Sequence, residues 1–160
     1  MDVEYQKRLL DVYRDGLLND TLPFWFPRCV DEDHGGFLLA RDRDGSLLDD
    51  DKGMWQQCRA TWLLATLYNS VESKSDWLKW AKSGLRFIER NGRDSDGRMW
   101  FHVTRDGKPL RKRRYVFTEC FGSIAYASLA KATGDSALAD TSRELFSLAK
   151  RHFFDPSLVA

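Results

Sequence analysis

Apolar residues recur at helical spacing in five segments of this chain, and two short apolar runs bounded by turn residues lie between them. Leu9, Leu10, Tyr13 and Leu17 share one face of residues 5–19, and Asn19-Asp20 with Pro23 just beyond predicts that helix one ends there. Gly36 to Arg41, then Asp44-Gly45, then Ser46-Leu47-Leu48 reads as a hairpin whose glycine supplies the positive φ of the turn. Asp49-Asp50-Asp51 is placed to cap a second helix running from about Lys52 to Asn69. Trp77, Trp80, Ala81, Leu85 and Ile88 mark helix three, which starts behind the capping candidates Ser75 and Asp76 and closes near Asn91-Gly92. Met99 to Thr104 turns at Asp106-Gly107 into Lys108-Pro109-Leu110, a second hairpin. Helix four, Tyr115 to Lys131, ends at Gly134, and helix five follows from Ser136 to about Phe153 with Leu138, Leu145, Leu148 and His152 on a stripe.

The triplets Arg43-Asp44-Gly45 and Arg105-Asp106-Gly107 each stand between an apolar strand and a helix. A unit of helix, hairpin and helix therefore occurs twice, and a third begins with helix five. Helices two and four are apolar on nearly every side, whereas one and three are amphipathic, which predicts an inner and an outer layer. The expected fold is all-α, an α/α toroid with short hairpins, incomplete over its five helices, with residues 1–160 forming one domain.

Composition narrows the partners. Apolar residues make up 42% and aromatics 13%, with six tryptophans, enough to build a packed core rather than a disordered chain. Lys plus Arg number 25 against 24 Asp plus Glu, so the general attraction that nucleic-acid or anionic-membrane binding uses is missing. Cys29, Cys58 and Cys120 form no CxxC pair, which suggests neither a disulfide framework nor a zinc site. With no stretch near the ~20 apolar residues of a membrane span and no leader-like N-terminus, a cytoplasmic location is expected. Asn19-Asp20-Thr21 is read as an accidental glycosylation tripeptide.

The chemistry-bearing candidates lie on the inner helices. Trp55, Arg59 and Trp62 share a face of helix two at i, i+4 and i+7. Arg59 either packs its stem on indole at the surface or projects into a cavity toward a ligand oxygen. Along helix four, Tyr115, Glu119, Gly122 and Tyr126 repeat the spacing; Glu119 either pairs with a structural arginine or faces a polar pocket with Arg59. Arg, Glu, Tyr and Trp presented inward suit a carbohydrate, with aromatic faces against C–H groups and charges against hydroxyls. His34 and His102 lack a second ligand at metal spacing, so no metal is expected. The basic run Arg111-Lys112-Arg113-Arg114 reads as a solvated hairpin edge.

These residues carry a resemblance. Leu22-Pro23-Phe24-Trp25, Asp33-His34-Gly35-Gly36-Phe37, Asp42-Arg43-Asp44-Gly45, Lys52 and Trp55-Gln56-Gln57-Cys58-Arg59 with Trp62 resemble the opening of the N-acylglucosamine 2-epimerases. Arg114 to Phe121, followed by Ala130-Lys131-Ala132-Thr133-Gly134-Asp135, is similar to the next block of that family. The resemblance implies an (α/α)6 barrel, here its N-terminal portion, and an isomerase that inverts C2 of an open-chain amino sugar, interconverting N-acetylglucosamine and N-acetylmannosamine. It implies that Arg59 stabilises the enediolate oxygen, that Trp55 and Tyr115 bind substrate, and that Glu119 one turn beyond Tyr115 faces the same cleft. No cofactor is implied, and an effector nucleotide is not legible. The family's acid and base are histidines of later segments, which His34, His102 and His152 do not match, so the isolated chain is expected to be inactive. An aldose–ketose isomerase of the same superfamily and a non-catalytic sugar-binding or interaction protein are the competing readings, and open inner helices would favour self-association into a homo-oligomer.

Overall fold

The computed structural model describes residues 2–112 and 115–158, so Arg113 and Arg114 of the basic run lie outside the described residues. Helix α1 spans Val3–Asp15, begins at the Asp2 cap, and passes without a break into a π turn, Gly16–Thr21, and a short helix α2, Leu22–Trp25. The predicted stop at Asn19-Asp20 is therefore corrected. Pro23 has no N–H and its ring clashes with a carbonyl one α-turn back, so the chain meets it by widening into a π turn instead of terminating. Leu22 and Phe26 then anchor this segment in the core, while Leu10 and Tyr13 on α1 remain exposed.

Strands β1, Ala40–Arg41, and β2, Leu47–Asp49, form the first hairpin as predicted, with Gly45 at φ +87° in its turn. Lys52 does not begin a helix. Lys52–Gly53 is a strand, β3, paired with β4, His102–Val103, which pairs with β5, Pro109–Arg111. Helix α3, Met54–Ser70, follows with Gly53 at its cap and no capping side chain; the Asp49 carboxylate instead accepts from the Asp51 N–H. Helix α4, Ser75–Asn91, likewise starts without a side-chain cap, so Ser75 and Asp76 sit in its first turn. Helices α5, Phe117–Thr133, and α6, Ser136–Phe154, are separated by Gly134 in the left-handed region.

The two apolar helices α3 and α5 pack side by side, with α4 against α3 and α6 against α5, which is the predicted inner and outer layering. At the α3–α4 contact Gly84 allows the close approach: a Cβ there would meet Thr61 Oγ1 at 2.2 Å and the Phe37 ring at 2.6 Å. Ser123 and Ser142 exchange hydroxyl-to-carbonyl bonds between α5 and α6. The inner helices are not buried all round, because Trp62 is half-buried and Ile124 exposed.

A buried ion cluster ties the hairpins to this helical stack. The Lys52 ammonium donates to Asp31 Oδ2 at 2.8 Å, Gly35 O at 2.7 Å and Arg105 O at 2.9 Å, which uses all three of its protons. It also lies 4.2 Å from the centroid of the Phe87 ring on α4. Asp31 in turn accepts from the Arg105 guanidinium at 3.0 and 2.9 Å and from the backbone N–H groups of Asp33 and His34. Burial alone would raise the Asp31 pKa, but the bonds from Arg105 and Lys52 outweigh it and hold the carboxyl well below the usual carboxylate range. Burial draws the Lys52 ammonium in the other direction, below its ordinary value, with Asp31 opposing.

Two outcomes follow from this packing. An Asp31→Asn variant should lose about 3–5 kcal/mol at neutral pH, because Lys52 is left buried without its counter-charge. The Asp31 contribution is complete above its unfolded pKa of about 3.9 and is lost as pH falls toward the depressed folded value, so denaturant midpoints of the native chain should fall below pH ~4 more steeply than those of the variant. In the helix pair, Gly84→Ala should lower net stability by about 1–2 kcal/mol in urea unfolding, overpacking against Thr61 and Phe37 exceeding the gain in helix propensity.

Candidate functional site

The strand pairing that displaces the start of α3 also builds the cleft. Because β3 pairs with β4 and Met54 N–H donates to Phe101 O at 2.9 Å, the first turn of α3 is held against the second hairpin. Trp55 and Arg59, one turn apart, project from that end, and Phe121 of α5 lies 5.9 Å from the Trp55 ring and 5.8 Å beneath the Arg59 guanidinium. Trp55, Arg59, Phe101, Tyr115, Phe117 and Phe121 together line a cavity of about 440 Å3. The Arg59 guanidinium is exposed and has no hydrogen bond or ion pair among the described residues.

The structure thus brings three of the four sequence-predicted residues, Trp55, Arg59 and Tyr115, to one cavity. Glu119 is elsewhere. Helix α5 begins at Phe117 rather than Tyr115, after a bend at Val116, so Tyr115 does not stack one turn before Glu119. The Tyr115 ring is 63% exposed, whereas Glu119 is fully buried. Glu119 Oε1 accepts from Arg98 Nε at 2.7 Å and from Met99 N at 3.0 Å, which is the structural-arginine alternative. Burial, and then the Glu119 charge, holds the Cys58 thiol on α3 well above its usual pKa, leaving it protonated and unreactive.

Sequence reasoning missed Phe101, Phe117 and Phe121. Phe117, Phe121 and Ile124 follow the same helical spacing as Tyr115, Glu119 and Gly122 on the neighbouring face, and the packing of α5 against α3 and α6 buries Glu119 and Gly122 while Phe117 and Ile124 stay exposed. Trp62 lies on the far side of Arg59: with Trp25, Leu39, Gln56 and Leu63 it lines a second cavity of about 500 Å3 that Trp55 and Arg59 also border. The histidines are not at the first cavity. His34 is exposed on a connector, His102 is in β4, and His152 on α6 accepts from Arg98 through Nδ1 at 3.2 Å. No helix among the described residues is long and apolar enough to cross a membrane.

Comparison with known proteins agrees with this geometry. Residues 35–160 match the family described as N-acylglucosamine 2-epimerase (GlcNAc 2-epimerase). The chain is 33% identical over 141 residues to the human N-acylglucosamine 2-epimerase, covering 84% of this chain and 33% of that protein. It is 25% identical over 141 residues to the cellobiose 2-epimerase of Bacteroides fragilis, covering 87% of this chain and 36% of that one. The chain therefore spans about a third of the length of the curated relatives it matches. Among solved structures, a cellobiose 2-epimerase from Bacillus thermoamylovorans superposes with a TM-score of 0.84 at 24% identity, over 94% of this chain and 39% of that one. A D-mannose isomerase superposes with a TM-score of 0.79 at 20% identity, over 91% and 37%. The two helical layers are consecutive units of the (α/α)6 toroid these structures share. By these matches the chain belongs to the N-acylglucosamine 2-epimerase family.

Proposed function

We propose that the cavity around Arg59 is part of the substrate cleft of a sugar 2-epimerase acting on an N-acylated amino sugar. Epimerisation at C2 of an open-chain aldose removes the proton α to the aldehyde and returns it on the other face, passing through an enolate on the C1 oxygen, which is an enediolate where C2 carries a hydroxyl. The developing oxygen charge needs a fixed cation or donor. Arg59 is the group suited to this, and one observation carries the reading: among the described residues its guanidinium has no polar partner, and it stands at the wall of an aromatic-lined cavity of about 440 Å3. A charged side chain that folding does not use is available to a ligand. Trp55, Tyr115 and Phe121 offer ring faces to sugar C–H groups, and the Tyr115 hydroxyl offers a donor.

The proton transfers fall to groups outside this cavity wall. His34, His102 and His152 stand away from it, and residues 1–160 correspond to about a third of the relatives' length. On this reading the chain binds sugar without turning it over, and we propose further that it needs no cofactor and works in the cytoplasm. An aldose–ketose isomerase uses the same enediolate but returns the proton to C1, and the likeness to a Rhizobium meliloti mannose-6-phosphate isomerase, 28% identical over 117 residues, keeps that reading in play.

Titration with N-acetylmannosamine and N-acetylglucosamine, followed by tryptophan fluorescence and saturation-transfer NMR, tests the cleft. Arg59→Ala should weaken binding about tenfold or more, the worth of a charge-assisted hydrogen bond, while urea unfolding shifts by no more than about 1 kcal/mol. Unchanged binding by the variant would exclude the cleft assignment. In D2O the chain alone should leave the C2 proton of N-acetylmannosamine unexchanged. Deuterium at C2 would mean that the acid and base are present within these residues; a ketose deuterated at C1, formed from mannose, which carries the C2 hydroxyl the amino sugar lacks, would identify the isomerase.

A further inference from the structure

Tyr115 and Phe117 form one wall of the cleft, yet packing does not hold them there. The two residues are 63% and 61% exposed, with ring centroids 6.2 Å apart. Tyr115 lies in a bend just before α5, and Phe117 is the first residue of that helix. A wall of this kind needs a tether from beneath.

The tether in place is Arg98, 8% exposed, in the turn that follows α4. Its guanidinium reaches three elements at once: Nε donates to Glu119 Oε1 at 2.7 Å, Nη2 to the Tyr115 carbonyl at 3.3 Å, and Nη1 to His152 Nδ1 at 3.2 Å. Glu119 Oε1 also takes the Met99 N–H, so the carboxylate fixes both the arginine's backbone and its fork. The planar guanidinium is what makes the geometry work, since with Nε–H held by Glu119 the Nη1 and Nη2 groups point at fixed angles in the same plane.

We infer that Arg98 and Glu119 are positioning residues for the sugar cleft, setting the place of the Tyr115–Phe117 wall through the Tyr115 carbonyl. The inference rests on the cleft reading above for its sugar and on the geometry alone for the tether. Glu119, read from sequence as a substrate contact, then acts on substrate at one remove, through Arg98 and the backbone of Tyr115.

A double-mutant cycle on the whole 160-residue chain tests this. Arg98→Lys keeps the cation beside Glu119 but removes the fork, and it should weaken N-acetylmannosamine binding about fivefold in the native background and less than about twofold in Tyr115→Ala. Equal weakening in both backgrounds would overturn the inference, because a general loss of stability acts irrespective of Tyr115. Glu119→Gln should reproduce the pattern; if it fails to fold, Arg98→Lys carries the test alone. Amide hydrogen exchange supplies a readout that needs no sugar: residues 115–118 should exchange faster in Arg98→Lys while α3 keeps its protection. If the native chain binds no sugar, the functional reading fails and exchange still decides the tether, unchanged protection at 115–118 counting against it.

Discussion

The carboxylate of Asp31 is the point on which the non-helical half of this structure hangs. Five donors converge on it, from Lys52, from two nitrogens of Arg105, and from the N–H groups of Asp33 and His34. A buried ion pair is stabilising only when its desolvation is offset by complete hydrogen bonding, and here both partners are complete. The consequence is mechanical. Asp31 belongs to the connector before the first hairpin, Lys52 to the strand before α3, and Arg105 to the tip of the second hairpin, so three segments far apart in sequence share one node.

That node propagates to the cleft by backbone pairing. With Lys52 fixed, β3 lies along β4, Phe101 is brought to the first turn of α3, and Trp55 and Arg59 emerge at the edge of the hairpin. A second clamp acts one turn further on. Gln57 accepts from the Phe37 N–H at 2.7 Å and donates to the Phe37 carbonyl at 2.8 Å, holding the first hairpin's base against the other side of α3. Gly36 is required there, since its φ is +72° and a Cβ would meet Gln57 Oε1 at 2.6 Å. The inner helix is thus gripped by both hairpins, and the orientation of Arg59 follows from residues that never touch the cavity.

Much of the architecture was legible because hydrophobic periodicity is a local signal: α4, α5 and α6 end within two residues of the ends expected from sequence, and the αL glycine Gly134 closes α5 as expected. The turn triplets were legible as a repeat but not as contacts. Arg105 in the second copy binds Asp31, whereas Arg43 in the first is exposed, and Arg41 does the local work by donating to Leu38, Gly45 and Arg28 carbonyls. Lys52 was read as the start of a helix because strand β3 is two residues long and its partner lies about fifty residues away, beyond any windowed pattern. Arg98 gave no signal for the same reason.

Arg59 and Glu119 looked alike in the sequence, each a charge set into an apolar helix one turn from an aromatic residue. What separates them is whether folding consumes the charge. Lys52, Asp31 and Arg98 are engaged by protein groups at 2.7–3.3 Å, and Glu119 takes two donors on Oε1 while its buried Oε2 has no partner among the described residues. Arg59 is exposed and bonded to no polar group among the described residues, though it sits over an aromatic ring beside a cavity. A surface arginine in open water would be unexceptional. One whose guanidinium lies over an aromatic ring at the wall of a concave site has fewer places to go, and preorganisation of that kind is what the proposed recognition of a developing oxyanion requires.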